Sequence, residues 1–240
     1  AYHLQHPDIT RIYELGRSRQ GRPILAIRVT DNPDRDEDEL AVLLNGGAHG
    51  HELLSVDYAF DALRQLLEQR NEPRVRRWIE ELDLWVVPMV SPDGNWTLLR
   101  TLNARKVGRR NGMDSDRDCV FEPRVDGVDL NRNYPFGWGI LGEEGSSSDP
   151  ASAYYRGEEP ASEPETRALV SLARQHRFAA AISWHTHGSM VISPYTIEGV
   201  HNPDPDVARD IAGALLESSP QASRLPRSLH PADGPGPARP

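Results

Sequence analysis

Apolar and polar positions along the chain switch between a two-residue and a three-to-four-residue period, and that switching predicts the elements. Thr10 to Leu15 and Ile24 to Thr30 are strand-like runs joined through Gly16-Arg17-Ser18-Arg19-Gln20-Gly21, which predicts a β-hairpin. The acidic stretch Asn32 to Glu39 reads as a solvated connection, and Leu40 to Asn45 as a buried strand. From Glu52 to Gln69 the apolar residues Leu53, Val56, Phe60, Leu63 and Leu67 recur every three or four positions, the signature of an amphipathic helix packed on a sheet. A shorter helix is expected over Pro73 to Leu82, then a strand over Leu84 to Val90 that ends at the turn Ser91-Pro92-Asp93-Gly94. Thr101 to Pro160 is polar, with little periodicity; so long a connection in a compact domain usually forms site walls or is disordered. Ser162-Glu163-Pro164-Glu165 reads as an N-cap, a first-turn proline and an acid, opening a helix that runs to about Gln175. The apolar run Ala179 to Trp184 predicts a strand, Ser189 to Tyr195 one more, and Asp206 to Glu217 a last helix with Val207, Ile211 and Leu215 on one face.

This alternation runs from Arg11 to about Ser218 without a linker-like break, which favours a single α/β domain over residues 1–218. Residues 219–240 are rich in Pro, Ala and Arg and are expected to be a disordered tail. With 240 residues, 38% of them hydrophobic, the chain can bury a substantial core. Its net charge of −9 argues against a nucleic-acid surface, which needs a concentrated basic face. Cys119 is the only cysteine, so neither an intrachain disulfide nor a cysteine-rich zinc site can form. The apolar runs are far shorter than a membrane span. A first residue other than Met points to a processed or excised chain, and a removed leader would fit an extracytoplasmic or secreted enzyme.

The candidate chemistry lies where two of these strands should end. His49-Gly50-His51-Glu52 follows the run Ala41-Val42-Leu43-Leu44, and His185-Thr186-His187 follows Ala179 to Trp184. Ligands in open α/β sheets collect at that edge. A histidine and a carboxylate three residues apart have metal-ligand spacing, and His49, Glu52 and His185 supply the two-histidine, one-carboxylate set that catalytic Zn²⁺ commonly takes with a fourth position left for water. A rival all-histidine set of His49, His185 and His187 stays open, because residues two apart on a strand point the same way. The zincin pattern is excluded: Ser55 stands where its second histidine would be required.

Further segments carry a resemblance. Gly16-Arg17-Ser18 with Gly21-Arg22-Pro23, Pro92-Asp93-Gly94, Gly127-Val128-Asp129-Leu130-Asn131-Arg132-Asn133-Tyr134-Pro135, Tyr155-Arg156-Gly157 with Ser162-Glu163-Pro164-Glu165, and Pro194-Tyr195 together resemble, in order, the M14 family of zinc carboxypeptidases. The resemblance implies a mixed, twisted β-sheet with helices on both faces, Zn²⁺ on His49, Glu52 and His185, and hydrolysis of the C-terminal peptide bond of peptides or proteins. Asn131 and Arg132 match the clamp for the substrate's terminal carboxylate, and a planar guanidinium that can bind it through two hydrogen bonds suits that task. Arg105 matches the arginine that stabilises the developing oxyanion. His187 stands where many relatives carry a tyrosine near the substrate pocket, and His51 where many carry a substrate-contacting arginine.

The resemblance weakens at the end. Relatives continue into a strand followed by the general-base glutamate, whereas no segment after Tyr195 shows that pattern, so the catalytic domain is expected to be C-terminally incomplete. Two rival functions follow: a non-catalytic protein that binds zinc and C-terminal carboxylates, and a zinc deacylase of N-acyl amino acids.

Overall fold

The computed structural model describes residues 2–218 apart from 102–106, 189, 194, 196, 198, 199 and 204. A short helix, α1 (Tyr2–Gln5), leads into strands β1 (Thr10–Arg17) and β2 (Pro23–Val29), which pair antiparallel from Thr10 against Val29 to Arg17 against Pro23. The expected hairpin is present. Gly21 takes φ +80° at its turn, a backbone state that side chains resist, and donates its N–H to the Ser18 carbonyl at 2.9 Å.

The next elements are β3 (Leu40–Asn45), α2 (Leu53–Glu68), α3 (Pro73–Glu81), β4 (Leu82–Val87), α4 (Pro92–Arg100), α5 (Pro164–Gln175), β5 (Phe178–Ser183) and α6 (Pro205–Ser218). The sheet has five strands in the order β1-β2-β4-β3-β5. β2 and β4 are antiparallel, while β4, β3 and β5 run parallel, so the sheet is mixed as expected.

Strand alternation sorts the core into two layers. Ile24, Ala26, Ala41, Leu43, Trp85 and Val87 face Ala168, Leu169 and Leu172 of α5. Val29, Leu84 and Val86, with Val42 and Leu44, face Ala59, Leu63 and Leu67 of α2 and Val75 and Ile79 of α3. Helices therefore cover both faces, and a fully buried leucine such as Leu63 or Leu67 contributes about 1.5–3 kcal/mol to that packing.

Several expected details are corrected. The buried stripe of α2 is Ser55, Val56, Ala59, Leu63, Leu66 and Leu67, whereas Leu53 and Phe60 are exposed. The fourth strand ends at Val87 rather than Val90, and Pro92-Asp93-Gly94 opens a helix instead of a turn. The N-cap of α5 is Glu163, without a side-chain capping bond, because its carboxylate is taken by Arg19 and Asn111. The described residues of 189–195 form no strand. On α6 the buried residue is Ala212, while Val207 and Ile211 are exposed.

Cα proximity divides the chain into two compact units, 1–186 and 187–240. The first holds the sheet and α1 to α5; the second holds α6, with an Arg209 to Asp206 ion pair. The expected tail, 219–240, lies outside the described residues. No helix among the described residues is long and apolar enough to cross a membrane.

Candidate metal centre

β3 and β5 are neighbours in register, Asn45 beside Ser183, and the chain leaves both strands at the same edge of the sheet. Trp184 N–H extends the pairing to the Asn45 carbonyl at 2.9 Å, which fixes the path into His185. After β3 a tight loop leads to His49. Glu52 N–H closes it on the His49 carbonyl at 3.1 Å, and Ser55 Oγ ties it to α2 by donating to the Glu52 carbonyl at 2.6 Å. Gly50 is required here for space: a Cβ at that position would lie 2.0 Å from the Asn95 backbone nitrogen in α4.

Glu52 is the hub of the site. One carboxylate oxygen, Oε1, lies 2.8 Å from His49 Nδ1, and the other, Oε2, lies 3.0 Å from His185 Nδ1 and accepts the Thr186 N–H at 3.0 Å. One ligand atom from each of His49, Glu52 and His185 lies within 4.8 Å of the others. His49 and Glu52 are buried, and the His185 side chain is 34% exposed, so the group is closed on one side and open on the other. Burial opposes the charge on Glu52, but hydrogen bonds from His185, His49 and the Thr186 N–H hold its carboxyl well below the ordinary range.

His49 is fixed from behind. Its Nε2 lies 2.9 Å from Oδ1 of Asp129, which is fully buried. A carboxylate on the far nitrogen of a ligating imidazole sets its orientation and raises its basicity, and here it turns Nδ1 toward Glu52, the side on which an ion would be held. Burial disfavours the charged imidazole, yet the bonds to Asp129 and Glu52 prevail and raise the His49 pKa. Two imidazole nitrogens and one carboxylate converging in this way suit Zn²⁺.

Asp129 also joins the centre to a cationic wall. Its Oδ2 accepts from Arg109 Nη2 at 2.6 Å, and its Oδ1 caps the 3₁₀ turn Leu130–Arg132 by accepting the Asn131 N–H at 3.0 Å. Asn131 is exposed and Arg132 half-buried on that turn. The guanidinium carbons of Arg109 and Arg132 lie 4.9 and 6.0 Å from the centroid of the Tyr154 ring. His51 is half-buried beside the centre, its ring 6.0 Å from that of His49, with a buried Nδ1 that has no hydrogen-bond partner among the described residues. Burial lowers its pKa.

Of the residues singled out by sequence, His49, Glu52 and His185 are brought together, and Asn131 and Arg132 lie on the turn that Asp129 caps. Arg105 lies outside the described residues, and His187 is exposed at the start of the second unit. Sequence reasoning passed over Asp129, Arg109 and Tyr154. A signal existed for Asp129, an acid heading the Asp-Leu-Asn-Arg run. Arg109 and Tyr154 had none beyond membership of a long polar segment.

Comparison with known proteins gives a consistent picture. A family model described as zinc carboxypeptidase matches residues 1–230. Zinc carboxypeptidase A 1 of Anopheles gambiae is 30% identical over 216 residues, covering 89% of this chain and 46% of that protein. Carboxypeptidase B of Helicoverpa zea is 28% identical over 225 residues, covering 92% of this chain and 49% of that protein. The chain thus spans about half the length of the curated relatives it matches. In fold it resembles the crystal structure of carboxypeptidase A from Helicoverpa armigera, with a TM-score of 0.77 at 24% identity over 90% of this chain and 50% of the other.

Proposed function

The chain belongs to the zinc carboxypeptidase family, and from that premise we propose that this protein hydrolyses the C-terminal bond of peptides or proteins, with Zn²⁺ held by His49, Glu52 and His185. The observation that carries the reading is the convergence of two imidazole Nδ1 atoms on the two oxygens of the buried Glu52 carboxylate. When bound, Zn²⁺ polarises a carbonyl and acidifies water.

The remaining work falls to side chains. Asp129 holds His49 in one orientation and keeps Nδ1 directed at Glu52. Arg132, with Asn131, grips the terminal carboxylate of the peptide, for which a guanidinium offers paired donors. Arg105 keeps the oxyanion role that the resemblance implies, and Arg109, whose 2.6 Å bond to Asp129 ties its guanidinium to the partner of His49, stands with Arg132 as a second cation for the carboxylate. His187 remains a substrate-side residue in this proposal.

A second reading has its own observation: Glu52 and Asp129 are both engaged by histidine, leaving neither free to act as a base. On that reading the protein binds zinc and peptide C-termini without turnover. Incubation of the zinc-loaded protein with matched peptides bearing a free or an amidated C-terminus decides the matter. Release of the terminal amino acid from the free form alone is expected. Binding of the free form without release would support the second reading, and neither binding nor release would sink both.

A further inference from the structure

We propose that Tyr154 is a positioning residue whose ring holds the guanidiniums of Arg109 and Arg132 in the arrangement that grips a carboxylate; this rests on the carboxylate-binding reading above. The ring is 52% exposed, so it is not held there by core packing. Its backbone is well anchored. Ser147 N–H donates to the Tyr154 carbonyl at 2.9 Å, and the neighbouring Tyr155 is buried and accepts the Asp129 N–H through its own carbonyl at 2.9 Å. The loop that carries Tyr154 is thereby bonded to the residue that backs His49.

The arginines need such a device. Among the described residues, Nε of both Arg109 and Arg132 is buried without a hydrogen-bond partner, so neither guanidinium is oriented through that atom. Among the described residues Arg109 has one ion pair, to Asp129, and Arg132 has one hydrogen bond, to the adjacent Asn131 carbonyl at 3.1 Å. Long side chains fixed at so few points lose rotamer freedom when they bind a ligand, and that loss weakens binding. A π face attracts both cations, reduces their mutual repulsion and removes part of that freedom before the ligand arrives. The phenol hydroxyl has no part in this, so the ring alone should suffice.

The test is calorimetric titration of the full zinc-loaded chain with a ketomethylene isostere of an N-acetylated dipeptide, which cannot be hydrolysed, as the free acid and as the C-terminal amide, beside measurement of zinc content. Tyr154→Ala should weaken binding of the free acid about 5- to 30-fold, leave the amide and the zinc content unchanged, and be matched by Tyr154→Leu, which keeps bulk without a π face. Tyr154→Phe should bind within about twofold of the unmodified protein, as expected if the ring acts without its hydroxyl. The proposal is overturned if the Leu variant binds the free acid normally, if Phe loses as much as Ala, or if both peptide forms weaken equally. An unmodified protein that does not distinguish acid from amide, or whose distinction survives Arg132→Ala, would instead remove the carboxylate-binding reading itself.

Discussion

Asp129 shows how much one side chain can carry. It is fully buried and meets His49, Arg109 and the Asn131 N–H, so it ties a candidate ligand to the cationic wall. Asp129→Asn keeps the size of the group but removes its charge, and zinc affinity should fall about 10- to 100-fold; competition with a chromophoric chelator measures it, and an unchanged affinity would show that His49 needs no partner. Gly50 is the steric counterpart. Gly50→Ala would place a methyl against the backbone of α4 at Gly94 and Asn95, where no flexible side chain can yield, and should destabilise the protein by about 3 kcal/mol in denaturant unfolding. The candidate ligands could be singled out from sequence because metal spacing and strand ends can both be seen in one dimension. The residues behind and beside them were not, because Asp129, Arg109 and Tyr154 reach the site through contacts between segments 20 or more residues apart.

Among the elements, α4 and α5 show where local signals mislead. Pro92-Asp93-Gly94 has turn composition, yet Asp93 is buried and accepts from Ser18 Oγ at 2.7 Å and Gln20 N–H at 2.9 Å while pairing with Arg22 at 2.6 Å. Those long-range bonds to the hairpin hold it at the first turn of a helix, and Gly94 admits the Gly108 and Arg110 carbonyls where a Cβ would collide. At the start of α5, Glu163 is held by Arg19 and Asn111, and Glu165 accepts the Arg19 N–H at 3.2 Å and a shared Asn111 amide at 3.2 Å. Burial, reinforced by the charge on Glu163, pushes the Glu165 pKa up to about 7. The folded protein therefore binds this proton more tightly than the unfolded chain, and stability should fall as pH rises from about 4.5 to 7, by about 3 kcal/mol in all. Glu165→Gln should remove that falling limb in urea unfolding across the same range, whereas an identical slope in the variant would refute the assignment. β4 was legible because nearly all of it is buried and reads as an apolar run, and β2 and β3 because buried residues recur along them, whereas β5 was legible from its apolar composition although its positions stay partly exposed. Leu53 and Phe60 broke the helical reading because periodicity counts apolar residues without asking what lies opposite them.

For the molecule as a whole, the mixed sheet explains why the site is where it is. The parallel strands β3 and β5 deliver His49 and His185 to one edge although 136 positions separate them in sequence, and α2 starts there with Glu52. The α/β class and the helices on both faces followed from the alternation of periods together with the family resemblance, and the sheet order did not, because strand neighbours are set by packing rather than by local pattern. The central claim is that His49, Glu52 and His185 form one zinc site. Zinc titration of the metal-stripped protein, followed by calorimetry, tests it most directly. The account predicts one ion per chain, with binding abolished in His185→Ala and in Glu52→Ala. Stoichiometric binding that survives both substitutions would contradict it.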